Sequence, residues 1–152
     1  MIEINKNRDA ETSVENVWKL VSDADEQKFW PYLRKVKILN KNGNTIEREA
    51  TISRGPLGEA KSYQTLLVDP KEKTTTLKMT KGPMLGTRKI SLFSQSKERT
   101  RIEVNWKFEM KGVPSFALGF VKNSISEATE KALEEISTAA VRQTSSTLSR
   151  EV

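Results

Sequence analysis

Near the middle of the second half of the chain, Ile102, Val104, Trp106, Phe108 and Met110 alternate with Arg101, Glu103, Asn105, Lys107 and Glu109. A period of two gives a strand with one dry face and one wet face. Strand-like runs also stand at 33–39, 45–53, 60–68, 74–80 and 87–93, and Ile2 and Ile4 alternate as a short first strand. In two places the period becomes helical. Thr12-Ser13-Val14-Glu15 has the spacing of a capping box, and behind it Val14, Val17, Trp18 and Val21 fall on one helical face. From Pro114 onward Leu118, Val121, Ile125, Ala128, Ala132, Ile136 and Ala139 recur at three-and-four spacing, with Glu127, Glu130, Glu134 and Glu135 mostly off that stripe. Between the first helix and the second strand, an acidic break over 22–26 leads into Phe29-Trp30-Pro31-Tyr32, where Pro31 should end a second short helix.

The connections between strands alternate in chemistry. Those at 40–44, 69–73 and 95–100 are polar, whereas Gly55-Pro56-Leu57-Gly58, Gly82-Pro83-Met84-Leu85-Gly86 and Gly112-Val113-Pro114-Ser115-Phe116 are apolar. Successive turns of an antiparallel meander fall on opposite ends of the sheet, so one end is wet and the other greasy. An apolar rim flexed by Gly and Pro suits the mouth of a pocket for a hydrophobic molecule, or an edge that touches a membrane. Leu57, Met84, Leu85, Phe116 and Phe120 are the candidates for that mouth or lid. Phe116, Leu118 and Phe120 cannot all share one helical face, so at least one of them looks toward the apolar loops.

At 152 residues the chain fits one domain, 1–141, followed by a polar tail at 142–152 that plays no part in the fold. The composition is 36% hydrophobic with a mean hydropathy of -0.59. No apolar run approaches the ~20 residues that span a bilayer, and residues 1–10 alternate instead of forming a basic-then-apolar leader, which points to the cytoplasm. There is no Cys and no His, so disulfides, thiolate or imidazole metal ligands, and Ser-His or Cys-His dyads are all excluded. A net charge of +6 favours anionic partners, but the Lys and Arg residues are interspersed with Glu and Asp as on a solvated surface. Nucleic-acid readers display aromatics among basic residues on an exposed strand face. Trp106 and Phe108 instead share a face with Ile and Val, which argues against that class. No phosphate-binding loop or calcium loop is present, and no metal or cofactor is expected.

The order of elements, together with Ser13-Val14-Glu15-Asn16-Val17-Trp18-Lys19-Leu20-Val21-Ser22-Asp23 and Phe29-Trp30-Pro31-Tyr32-Leu33, resembles the START-like, polyketide cyclase/dehydrase and birch-pollen-allergen superfamily. The resemblance covers about residues 1–140 and implies an α+β helix-grip fold. In that fold a curved antiparallel sheet of about seven strands wraps a long C-terminal helix, with two short helices after strand one, around an internal cavity. It implies a protein that binds or carries a hydrophobic or amphiphilic, lipid-like molecule. An enzyme of cyclase, dehydratase or hydrolytic type and a protein-partner module of the chaperone-activator kind occupy the same scaffold, and both readings stay open. No catalytic motif of the cyclase branch maps onto particular positions.

Strand phase nominates the interior. The inward set of the run from Thr45, anchored by Ile46, Ala50 and Ile52, also contains Arg48, and that of the run from Thr87, anchored by Ile90 and Leu92, also contains Arg88. Glu47, Glu49, Glu103 and Glu109 point away, so a bound anion, a water or a helix carboxylate has to complete the two guanidiniums. For the enzyme reading the polar group would be Tyr63, a carboxylate or Arg88, and Glu127 on the last helix, nearest the open end, is the candidate acid or base. Gln64 is a third polar candidate on a strand with apolar residues in both phases. Met79, Leu92, Trp106, Phe108, Val121 and Ile125 are the expected cavity wall, with an anionic head at Arg48 or Arg88 and transient contact with an anionic membrane surface at the greasy end.

Overall fold

The computed structural model describes the backbone of residues 1–151 and the side chains of all of these except Leu57 and residues 144–151. Seven strands, β1 (Ile2–Ala10), β2 (Leu33–Asn42), β3 (Thr45–Ser53), β4 (Glu59–Asp69), β5 (Thr74–Lys81), β6 (Met84–Ser96) and β7 (Arg99–Met110), form one antiparallel sheet. Strands β2 to β7 run as a meander, and β1 adds to β7, pairing Ile4 with Trp106 and Lys6 with Val104. Helix α1 (Val14–Val21) follows β1, and helix α2 (Leu118–Glu151) follows β7. The tail expected from residue 142 lies almost wholly beyond the described side chains.

The expected alternation of turns is present, with one end of the sheet closed by Asn42–Thr45, Asp69–Thr74 and Ser96–Arg99 and the other by the Gly/Pro-rich connections. The connection after β5 is shorter than its Gly-Pro-Met-Leu-Gly text suggests. Met84, Leu85 and Gly86 already belong to β6, leaving Gly82-Pro83 as the turn. Gly86 lies opposite Phe108 with φ +149°, and a Cβ there would stand 2.1 Å from the Lys107 carbonyl oxygen, so the two backbones pass closer than any side chain would permit.

The expectation of two short helices after β1 is only half met. One forms, capped by Ser13, whose hydroxyl accepts from the Asn16 amide at 3.4 Å; Thr12, one residue earlier, is buried and accepts from Asn16 Nδ2 at 2.8 Å. After α1, Asp23 and Asp25 accept from the Asp25 and Gln27 amides at 3.0 and 3.1 Å, and these side-chain turns take the place of a second helix. The Glu26 carbonyl then accepts from the Phe29 and Trp30 amides in a tight turn before Pro31.

Helix α2 packs on β1, α1 and β7, and α1 leans on β6 and β7. Its buried face is Ile125, Thr129, Ala132, Leu133, Ile136, Ser137 and Ala140, with Leu118 and Val121 only half-buried at its start. Lys6 pairs with Glu130 at 2.8 Å, and Arg8 Nε donates to Ser137 Oγ at 3.0 Å, tying β1 to the helix. Trp18 is half-buried, not interior, and the Lys73 ammonium stands 5.4 Å from its ring centre. The segment between α1 and β2 sends Phe29 and Trp30 into the core over the concave face of the sheet.

Candidate functional site

The two arginines are the largest charged side chains in the core, each only 1% exposed. Their register sets their neighbours: Arg48 on β3 lies opposite Gln64 on β4, and Arg88 on β6 lies opposite Trp106 on β7. Between them sits a carboxylate that the strand pattern did not supply. Glu26, in the turn before Phe29, is buried, and its Oε2 meets Arg48 Nη2 at 2.9 Å. Arg88 Nη2 donates to Glu26 Oε1 at 2.7 Å and to Oε2 at 3.0 Å. Arg48 Nε donates to Gln64 Oε1 at 2.7 Å, Arg48 Nη1 to the Ala24 carbonyl at 2.7 Å, and Gln64 Nε2 to Ser62 Oγ at 3.1 Å. Gln64 therefore faces inward, buried, as the acceptor that orients Arg48.

Aromatic rings wall the cluster. The Arg88 guanidinium carbon is 4.7 Å from the Trp30 ring centre and 5.8 Å from that of Trp106. Trp30 meets Trp106 edge-on at 5.7 Å and 84°, and Trp106 meets Phe108 at 5.9 Å and 74°. Such edge contacts contribute about 0.5–1.5 kcal/mol each beyond the area they bury, and a cation over a desolvated ring contributes about as much again. Trp106 Nε1 donates to Thr129 Oγ1 at 3.0 Å, which fixes the wall to α2. Arg88 Nε and Trp30 Nε1, both buried, find no acceptor among the described residues.

The electrostatics follow from burial. Desolvation alone would raise the Glu26 carboxyl, but the Arg88 and Arg48 guanidiniums outweigh it and hold it below the ordinary carboxylate range. Burial pushes the Tyr32 phenol up to about 12, so it stays neutral. Burial also lowers Arg48, against the opposing pull of Glu26.

Met79, Leu92, Trp106, Phe108 and Ile125 all belong to the core, as the inward phase requires, whereas Val121 is half-buried. At the greasy end, Met84 is buried at the start of β6, Leu85 is half-buried, and Phe116 and Phe120 stand 90% and 76% exposed; the side chain of Leu57 lies outside the described residues. Glu127 and Tyr63, the candidate acid or base and polar group of the enzyme reading, are both exposed, Tyr63 pointing outward from β4. Two clefts of about 430 Å³ are open to solvent. One lies at the wet end among Asn44, Asp69 and Thr74; the other lies between the 27–31 segment and Lys131, Glu134 and Glu135 of α2, with Trp30 in its wall. Neither is lined by the inward strand residues named as the cavity wall.

Sequence reasoning missed Glu26. Its only local signal is its place, immediately ahead of Gln27-Lys28-Phe29-Trp30 in an otherwise solvated acidic break. Among the described residues no group of three or more acidic, His or Cys side chains could hold a metal ion.

The fold, a seven-stranded sheet gripping a C-terminal helix, is shared with solved structures of low sequence similarity. The Zhui aromatase/cyclase from Streptomyces sp. R1128 superposes with a TM-score of 0.82 over 94% of this chain and 95% of its own, at 12% identity. TTHA0849 from Thermus thermophilus gives 0.80 over 93% and 99%, at 12% identity, and a START superfamily protein from Mycobacterium smegmatis gives 0.73 over 88% and 94%, at 17% identity. No curated protein matches the chain by sequence. The family model for polyketide cyclase / dehydrase and lipid transport proteins matches residues 1–144, and the chain belongs to that family.

Proposed function

We propose that this protein binds or carries a hydrophobic or amphiphilic small molecule on the concave side of its sheet. The apolar part of the ligand lies against Trp30, Trp106, Phe108 and Met79, which are packed in the core and have to part to admit it, and an anionic head is held at the Arg48–Arg88 cluster. The observation that carries this reading is the pair of guanidiniums buried to 1% exposure against an aromatic wall. Burying two cations beside a single carboxylate costs several kcal/mol per ion, an arrangement with more to offer a ligand than the fold. Family membership supports the same scaffold use. Catalysis is the weaker reading. Glu26 is locked by two arginines and Tyr32 is held neutral, so neither interior acid is placed to exchange a proton near neutral pH.

The greasy end supports a transient contact between a cytoplasmic protein and an anionic membrane surface. Phe116, in the short 3-10 turn before α2, and Phe120, in the first turn of α2, are exposed, and Lys111 and Lys122 close to them in the chain are exposed as well, so apolar insertion and charge attraction act together. Among the described residues no helix is long and apolar enough to cross a membrane. Native mass spectrometry of the purified protein, followed by solvent extraction, tests the binding function. A retained amphiphile of defined mass is expected. A bare polypeptide that also takes up no medium-chain alcohol or carboxylate in titration calorimetry would overturn it.

A further inference from the structure

The charges of the arginine cluster do not sum to zero. Arg48 and Arg88 contribute two positive charges, Glu26 one negative charge, and the remaining partners, Gln64, Ser62, the Ala24 carbonyl and Tyr32, contribute none. Two buried donors of the same neighbourhood, Arg88 Nε and Trp30 Nε1, also lack an acceptor among the described residues. Desolvated donors and a desolvated positive charge are both costly, and one acceptor bearing one negative charge would relieve both. Trp30 in addition forms part of the wall of the cleft against Lys131, Glu134 and Glu135, so the ring over which the Arg88 guanidinium lies borders an opening to solvent. Glu26 itself is not easily displaced, because it is held by three contacts of 2.7–3.0 Å from two arginines.

Building on the binding function above, we propose that the ligand's head is a singly charged oxyanion, a carboxylate, sulfate ester or phosphodiester, that joins Glu26 instead of replacing it. It accepts from Arg88 Nε and Trp30 Nε1 and brings the cluster to neutrality. A doubly charged phosphomonoester overshoots to a net negative interior and is disfavoured. Glu26 thus acts as a charge limiter that selects monoanions over dianions.

Calorimetric titration of the full chain at pH 8 with dodecanoate, dodecanol and dodecyl phosphate, each below its micelle concentration, tests this. The second phosphate pKa is about 6, so dodecyl phosphate is largely a dianion there. Dodecanoate should bind roughly tenfold or more tighter than dodecanol, in keeping with charge-assisted hydrogen bonds, and also tighter than dodecyl phosphate. Lowering the pH to 5 converts dodecyl phosphate to a monoanion and should strengthen its binding about tenfold, while dodecyl sulfate, singly charged throughout, serves as the control and should hold steady. Trp30→Phe should weaken dodecanoate several-fold more than it weakens dodecanol, because both chains lose the same apolar contact and only the carboxylate loses a donor. Glu26→Gln, where it folds, should shift the preference toward the dianion. Equal affinity for dodecanoate and dodecanol would overturn the monoanion site and leave the hydrophobic binding function standing. Dodecyl phosphate binding as well at pH 8 as at pH 5 would overturn the charge limit. Uptake of none of these chains would overturn both readings.

Discussion

Glu26→Gln keeps the shape of the side chain and removes its charge. In the native cluster the carboxylate takes contacts of 2.7 and 3.0 Å from Arg88 and 2.9 Å from Arg48, with side chains only 1% exposed on the arginines and 4% on the glutamate. A glutamine oxygen can still accept from one arginine, but its amide then faces the other, donor against donor. The loss is one charge-assisted hydrogen bond, about 1.5–3 kcal/mol, together with a guanidinium left unpaired away from water. Removing one partner of a buried ion pair costs about 3–5 kcal/mol in total. In a domain of this size each kcal/mol moves Tm by roughly 2–4 °C, so thermal melts followed by circular dichroism should show a fall of about 6–20 °C. The triple change Glu26→Leu, Arg48→Met, Arg88→Leu removes all the charges at once and should recover most of that loss, because an apolar replacement also removes the desolvation cost. A single variant melting within about 2 °C of the parent would show that the pair is not desolvated and would refute the reasoning. A triple variant as unstable as the single would place the cost in packing instead.

The same cluster gives the protein two pH edges. Glu26 is depressed, so its contribution to stability is present above its ordinary value of 4.5 and is lost as pH falls through its lower folded value; urea midpoints should decline below that ordinary value, and should not do so in the triple variant. Tyr32 is raised from 10.0 to about 12, so its contribution is lost as pH rises between those values, and Tyr32→Phe should flatten the alkaline decline. Gly86→Ala puts a Cβ 2.1 Å from the Lys107 carbonyl oxygen at a φ of +149° and should cost on the order of 3 kcal/mol in chemical denaturation; a cost under about 1 kcal/mol would show that β6 and β7 can separate there. Replacing Phe116 and Phe120 together with Ser should cut cosedimentation with anionic vesicles several-fold without lowering Tm, since both rings are exposed, and wild-type binding should weaken as salt rises. Wild-type binding that is equal on neutral and anionic vesicles at low salt would remove the electrostatic contribution.

Local physics made much of this fold legible. The two-residue period of 101–110 names the dry face of β7, the alternating turn chemistry names the two ends of the meander, and the phase of β3 and β6 places Arg48 and Arg88 inside, because a pleated strand must put alternate residues on the same face. What periodicity cannot contain is a partner from elsewhere in the chain. Glu26 reaches Arg88 across 62 residues, and neither the closure of β1 on β7 nor the fit of Trp30 over Arg88 leaves a trace in any short window. The second short helix fails for a related reason: Asp23 and Asp25 offer the backbone a turn in its place. Once that turn forms, the carboxylate next to it is carried over the sheet to the arginines. Which side chains each strand points inward is therefore written in the order of the residues. Which of those side chains meet is settled by the folded chain alone, because the energy of a buried charge depends on every group brought within a few ångströms of it and not on the residues beside it in the chain.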